Sequence, residues 1–60
     1  MAVFIGGTKR VFIVYFLHKR NEEIEYEEII ADTEKEAIKL ATKKHRLTYP
    51  KVQFSLLKVK

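Results

Sequence analysis

Sixty residues make one small domain, and the absence of cysteine excludes disulfide bonds and a thiolate metal site. Two histidines are too few for a closed zinc site without carboxylates, so we expect no metal and no cofactor. The formal net charge is +4, but all eight acidic residues lie within residues 21–36, where Lys35 is the only base. Eleven of the twelve lysines and arginines lie outside that segment, so the chain is better described as dipolar than as basic.

The first elements predicted along the chain are two strands. Residues 1–8 include the apolar letters AVFI and a Gly-Gly pair, which indicates a flexible arm or a short extra strand. Residues 10–18, RVFIVYFLH, combine β-branched and aromatic side chains without a polar break, which is typical of a strand buried on both faces. After a polar turn around Asn21, residues 24–31 alternate between apolar and acidic side chains, as a half-exposed strand does. The two strands are predicted to pair as an antiparallel hairpin.

A helix and a third strand follow the hairpin. In residues 32–46, Thr33 and Glu36 have the spacing of a capping box, with acidic residues at the start and basic residues at the end. The helix has an apolar stripe formed by Ala37, Ile38, Leu40 and Ala41. Pro50 ends the helical region, and residues 51–60 alternate again as a third strand.

This order of elements predicts one α+β domain, residues 1–60, with the ββαβ arrangement. The most apolar strand, the first, should lie in the centre of a three-stranded antiparallel sheet of order 2-1-3. The single helix should cross over between the edge strands and pack on one face of the sheet. The acidic second strand and the basic third strand then lie on opposite edges.

One helix covers only one face of the sheet, so the chain must leave an apolar surface on the other. We expect the core face to show Ile24, Tyr26 and Ile30 with Val52, Phe54 and Leu56, and the opposite face to show Glu25, Glu27, Gln53 and Ser55. The first strand is apolar on both sides, so one of its two sides must turn away from the helix. One side consists of Val11, Ile13, Tyr15 and Leu17, and the other of Phe12, Val14 and Phe16. The side that turns away would be joined by Ile29, Leu57 and Val59.

Three occupants of that second face are compatible with the sequence. The N-terminal AVFI segment could fold over it, two copies could pack their sheets together, or a partner could bind there, since apolar patches rimmed by charge commonly mark interaction sites. The candidate partner-binding residues are Phe12, Phe16, Glu25, Glu27, Glu28, Lys51, Lys58 and Lys60.

Nucleic acid is the alternative partner, because nucleobases can stack on aromatic side chains of a sheet that is flanked by lysine and arginine residues. The candidate residues for that function are Lys9, Arg10, Tyr15, Lys51, Lys58 and Lys60. Glu25 and Glu27, expected on the same face, would repel phosphate. Catalysis is not indicated: His18 is expected to be exposed at a strand end, and His45 to be an ordinary residue of the helix C-terminus.

The segment that enters the helix carries a family resemblance. Its matching residues are Ala31, Asp32, Thr33, Glu36, Ala37, Leu40 and Ala41. The segment resembles the small inhibitor of bacterial RNA polymerase encoded by podoviruses, and a fainter likeness exists to the archaeal ribosomal protein LX, which binds RNA. The inhibitor family implies a ββαβ order and a basic pair on the last strand that engages the polymerase. That role would fall to Lys58 and Lys60, with contributions from Glu27, Glu28 and Glu34. The family has arginine where this chain has lysine, and its helix-to-strand connection is shorter.

The resulting functional hypothesis is a small non-enzymatic protein that binds and inhibits a host protein such as RNA polymerase. The resemblance implies that it is an accessory protein of the phage type. The alternative is an RNA- or DNA-binding module. The longest apolar run, residues 11–17, is far shorter than the roughly 20 residues that span a membrane, and the N-terminus does not have the pattern of a signal peptide. We therefore expect a cytoplasmic monomer or homodimer, in the host cell if it is phage-encoded.

Overall fold

The computed structural model describes residues 9–60, so the predicted arm or extra strand at residues 1–8 lies outside the described range. Strands β1 (Arg10–His18) and β2 (Glu23–Ala31) are followed by helix α1 (Glu34–Thr48) and strand β3 (Phe54–Val59). They form one antiparallel sheet with the strand order β2-β1-β3. The predicted α+β class, ββαβ order and 2-1-3 topology are therefore confirmed. Strand β3 begins later than predicted because residues 50 and 51 still belong to a turn that follows the helix.

Helix α1 begins and ends at residues that supply the missing hydrogen bonds of its termini. Thr33 is extended, and its Oγ1 accepts a hydrogen bond from the backbone N–H of Glu36 at 3.2 Å, as the capping box predicts. At the other end, the N–H of Tyr49 donates to the carbonyl oxygen of His45 at 2.8 Å. Ala37 and Ala41 are completely buried, so the helix backbone can lie close to the sheet.

The register of the β1–β2 hairpin decides which side chains lie under the helix. Phe12 pairs with Ile29, Val14 with Glu27, and Phe16 with Glu25. Because side chains alternate between the two faces with a period of two residues, the odd-numbered residues of β2 share a face with the phenylalanines of β1. The buried core consists of Phe12, Val14, Phe16, Ile29, Ala31, Ala37 and Ala41, with Phe54 and Val59 packed against it.

The predicted assignment of β2 to the two faces was wrong. Ile24, Tyr26 and Ile30 were expected under the helix but are solvent-exposed, whereas Ile29, expected on the other face, is 8% exposed. The reason is that β1 directs its two phenylalanines toward the helix, and backbone pairing with β1 then fixes the parity of β2. The β1 residues that face away from the helix are therefore Val11, Ile13, Tyr15 and Leu17, which resolves the choice that the sequence left open.

An irregularity in β3 shifts the alternation of its side chains between the two faces of the sheet. Tyr15 pairs with Lys58 and Phe16 with Leu56, which leaves Leu57 as an extra residue in the ladder. Such a bulge shifts the alternation by one residue. Phe54 and Val59 can therefore both pack on the core, as predicted for Phe54 but not for Val59.

The register can be tested with two neighbouring isoleucines. Replacing Ile29 by Ala should lower the free energy of unfolding by about 2–4 kcal/mol, because it empties part of the core. Replacing the exposed Ile30 by Ala should change it by about 0.5 kcal/mol or less. Urea unfolding followed by circular dichroism measures both, and Ile29→Val serves if Ile29→Ala does not fold. A larger loss at Ile30 than at Ile29 would mean that the β2 register is the opposite one.

Candidate functional site

The most prominent surface of the described chain is the sheet face that α1 does not cover, which we call the open face. Alternation along the three paired strands places on it Val11, Ile13, Tyr15, Leu17, Ile24, Tyr26, Glu28, Ile30, Ser55, Lys58 and Lys60. Lys60 belongs to this set because its backbone exchanges two hydrogen bonds with Ile13, at 2.9 and 2.8 Å. Residues that share a hydrogen-bonded antiparallel pair point to the same side of the sheet.

The centre and one edge of the open face are apolar. Val11, Ile24, Tyr26 and Ile30 are exposed by 62%, 57%, 59% and 64%, respectively. Ile13, Tyr15 and Leu17 lie between them as a half-buried column on the central strand. Single exposed apolar residues are common on protein surfaces, but a contiguous patch of this kind usually marks a contact with another molecule.

The charged residues of the open face are separated by sign. Glu28, on β2, pairs across to Ile13, and Lys60, on β3, pairs with Ile13 from the other side. Lys58 lies one row further along β3, with its Nζ 5.1 Å from the centre of the Tyr15 ring. The open face therefore has a negative group on its β2 side and two positive groups on its β3 side. The predicted segregation of charge to opposite edges is retained on this face.

Several predicted partner-binding residues do not reach the open face. Phe12 and Phe16 are 8% and 1% exposed and belong to the core under the helix, so their proposed exposure was wrong. Glu25 and Glu27 also lie on the helix-covered side, because they pair with Phe16 and Val14. Of the three predicted acidic residues, only Glu28 lies on the open face.

The basic residues proposed for nucleic-acid binding are spread over the length of the sheet. Tyr15, Lys58 and Lys60 come together on the open face. Arg10 begins β1, where its guanidinium lies 5.1 Å from the centre of the Phe12 ring on the opposite side. Lys51 lies beyond the other end of the sheet, where it lines a shallow groove with Lys19 and Arg20. The structure therefore does not unite the full predicted set into one surface.

A buried hydrogen-bonded chain links β2, α1 and β1. His45 Nδ1 lies 2.8 Å from Glu27 Oε2, and His45 Nε2 lies 2.7 Å from His18 Nε2. Both bonds are satisfied with neutral rings when His18 Nε2–H donates to His45 Nε2 and His45 Nδ1–H donates to the Glu27 carboxylate. Lys44 Nζ adds a weaker contact to the other Glu27 oxygen at 3.6 Å. The carboxylate that β2 turns toward the helix is thus paired with helix residues.

His18 was predicted to be exposed at a strand end, but it is only 5% exposed. His45 lies in the last turn of the helix, as predicted, but it is completely buried. The ring of His45 stacks on Phe16 and meets the edge of Phe54, each at 4.6 Å between ring centres. The sequence did contain a signal for this position. His18 has the parity of Phe12 and Phe16, and His45 follows Ala37 and Ala41 at four-residue spacing on one side of the helix.

This carboxylate–imidazole chain has the order found in general-base sites, but its position makes it structural. The reactive nitrogen of His45 faces His18 and is completely enclosed by protein. A general base must come within hydrogen-bond reach of a substrate proton, which this geometry prevents. Within residues 9–60, no group of three or more His, Cys, Asp or Glu residues is arranged to hold a metal ion.

No family model matches the chain, and no curated protein or solved structure shows significant similarity to it. The resemblance to the podovirus inhibitor and the fainter one to protein LX therefore stay predictions. In the part of the chain that the structure describes, no helix has the length and apolar character needed to cross a membrane.

The buried chain predicts different consequences for two adjacent glutamates. Glu27→Ala should lower the free energy of unfolding by about 1–3 kcal/mol, because it leaves the buried His45 N–H without an acceptor. Glu27→Gln should cost less, since an amide oxygen can still accept this bond. The matched change Glu28→Gln, on the exposed side, should be nearly neutral. Equal losses at both positions, measured by urea unfolding, would contradict the structural role assigned to Glu27.

Proposed function

We propose that this protein is a small non-enzymatic binding module that docks onto a protein surface through its open face. The observation that carries the proposal is the direction in which β2 turns its side chains. Ile24, Tyr26 and Ile30 point into solvent, while Glu25 and Glu27 point toward the helix. Burying one large apolar side chain contributes about 1.5–3 kcal/mol, so this arrangement gives up substantial stabilisation unless another molecule covers the face.

The chemistry of the open face supports a protein partner. Its centre is mainly aliphatic, which matches the apolar core of a protein interface better than it matches the polar surface of a nucleic acid. Its charged rim would orient the partner and accelerate association more than it would raise affinity. The partner surface that fits the open face best is apolar, with basic residues opposite β2 and acidic residues opposite β3.

The absence of enzymatic activity and a cytoplasmic location are parts of the same proposal. The one carboxylate–histidine arrangement of the described residues is used to join the helix to the sheet. A chain without cysteine needs no disulfide bonds and is compatible with a reducing compartment, which would be the host cytoplasm if the protein is phage-encoded.

The narrower proposal, derived from the resemblance, is that the partner is bacterial RNA polymerase and that binding inhibits it. Lys58 and Lys60, the residues that the resemblance implicates, lie on the open face beside its apolar centre. Glu28 lies on that face too, whereas Glu27 is engaged with His45 and Lys44 under the helix.

A photo-crosslinking residue on the open face tests the docking surface. Placed at Tyr26, it should give a discrete protein adduct in bacterial cells, and unlabelled protein should compete for it, because this position lies within the proposed interface. The matched control is Leu47, which is more exposed than Tyr26 but lies on the helix, outside the open face. Equal crosslinking from both positions, or adducts to nucleic acid alone from Tyr26, would reject the proposed function.

The polymerase proposal can be tested with purified components. The double change Lys58→Glu/Lys60→Glu should weaken both binding to bacterial RNA polymerase and inhibition of transcription by about tenfold or more, since like charges at an interface are costly. The control Lys39→Glu/Lys43→Glu makes the same charge change on exposed helix residues and should have little effect. Equal inhibition by the two double variants would exclude the role given to the last strand.

Single-stranded nucleic acid is the second candidate partner, and one observation favours it. Tyr15 and Tyr26 lie side by side on the open face, with 6.0 Å between ring centres, and Lys58 lies over the Tyr15 ring. Proteins that bind single-stranded nucleic acid usually combine exposed aromatic residues with adjacent basic side chains. Glu25 and Glu27 lie on the helix side, so Glu28 is the one acidic strand residue left on the open face to repel phosphate. Nucleic-acid adducts at Tyr26 that disappear steeply with added salt would support this candidate.

A further inference from the structure

The pattern of charge on the open face is complementary to itself. We infer that the open face binds a second copy of this chain, forming a homodimer with a twofold axis parallel to the strands. The inference rests on the proposed docking of the open face onto a protein and names a second copy of this chain as that protein. Bacterial RNA polymerase would then bind the open face only in place of the second copy. Its evidence is the position of each charged residue relative to the central strand.

The open face can be described as three columns crossed by rows. The central column, on β1, is apolar, and the β2 column lies on one side of it and the β3 column on the other. One row contains Glu28, Ile13 and Lys60, and the next contains Tyr26, Tyr15 and Lys58. Each row thus has its base on the β3 side, and the acid lies on the β2 side.

A twofold axis parallel to the strands keeps each row in place and exchanges the outer columns. Glu28 then faces Lys60 of the partner subunit, and Tyr26 faces Lys58 of the partner subunit. The apolar β1 columns of the two copies pack on each other in the middle. Every charged residue of the two rows meets an opposite charge or an aromatic ring, as an isologous interface requires.

An axis across the strands gives a poorer fit. It keeps the columns in place and exchanges the rows, so β2 lies over β2 and β3 lies over β3. Lys60 would then face Lys58 of the partner subunit, and Glu28 would face only a tyrosine. Like charges placed opposite each other disfavour a wrong arrangement, so the charges select the axis parallel to the strands.

The groups needed for this pairing are available. Among residues 9–60, neither Glu28 nor Lys60 takes part in an ion pair, and both are exposed. Two sheets packed face to face normally lie about 10 Å apart with their strands within about 30° of one another. The two helices would lie on the outside, and the dimer would be a four-layer α/β/β/α sandwich. One three-stranded face is small for a specific interface, so we expect a dissociation constant on the order of 1–100 µM.

Charge reversal on the full-length chain tests both the dimer and its axis. Sedimentation equilibrium across that concentration range should show a monomer–dimer equilibrium for the wild-type protein. Glu28→Lys alone and Lys60→Glu alone should each raise the dissociation constant about tenfold or more, because each places like charges opposite one another. The matched changes Glu23→Lys, at an exposed residue on the helix side of β2, and Lys43→Glu, at an exposed residue of the helix, should leave it unchanged. Circular dichroism confirms that every variant is folded.

Two combinations make the test specific for the proposed axis. An equimolar mixture of the Glu28→Lys and Lys60→Glu chains should form a heterodimer of near wild-type affinity. In it, the introduced lysine faces the introduced glutamate, and the native Glu28 of one chain faces the native Lys60 of the other. The double variant Glu28→Lys/Lys60→Glu should likewise recover self-association. If the single variants lose self-association and either combination fails to restore it, the proposed axis is overturned.

A wild-type chain that stays monomeric throughout the concentration range would overturn the homodimer. If removal of residues 2–8 then produces self-association, the N-terminal segment is the occupant of the open face. If the monomer crosslinks from Tyr26 to a different protein, the proposed function stands and only the identity of the partner changes. Absence of both self-association and protein crosslinks would reject the inference and the proposed function together.

Discussion

The constraint on which the rest of the structure depends is the pairing of β2 with β1 in a fixed register. Once β1 turns Phe12 and Phe16 toward the helix, antiparallel pairing leaves β2 no independent choice of faces. Ile29 and Ala31 enter the core, but Ile24, Tyr26 and Ile30 must point away from it. The open face is therefore a consequence of how the core is packed, and it is apolar because both sides of β1 are apolar.

The same register explains much of the sorting of charge along the chain. It directs Glu27 toward the end of the helix, where His45 and Lys44 provide its partners. Glu34 and Glu36 lie in the first helical turn, where the helix dipole favours negative charge. Part of the acidic segment therefore serves the interior and the start of the helix. Glu28 is left facing outward, opposite the bases of β3, which gives the open face its two signs.

The topology and the helix cap were predictable from the sequence because each rests on a local signal. Strand composition, the Thr33–Glu36 spacing and the position of Pro50 are enough to define ββαβ and its order. The faces were not predictable, because β2 contains the doublets Glu27-Glu28 and Ile29-Ile30, which place acidic and apolar residues on both sides of the strand. The bulge at Leu57 has no marker in the sequence either, so Val59 was assigned to the wrong side. The buried His18–His45 pair depends on contacts between residues distant in sequence, although the spacing of each histidine matched a buried stripe.

The size of the chain connects these features to the proposed interaction. A domain of about 60 residues buries only about 60% of the surface of its unfolded chain, and one helix on one sheet forms just two layers. The described residues provide no second layer for the open face, although its side chains have the composition of a core. A second copy supplies that layer without additional sequence, and each copy covers the other with the same residues. Because the acid and the bases of the face lie on opposite sides of the β1 column, a twofold rotation about the strand direction brings them together. Apolar burial would then provide the affinity of the contact, and the charges would determine its orientation.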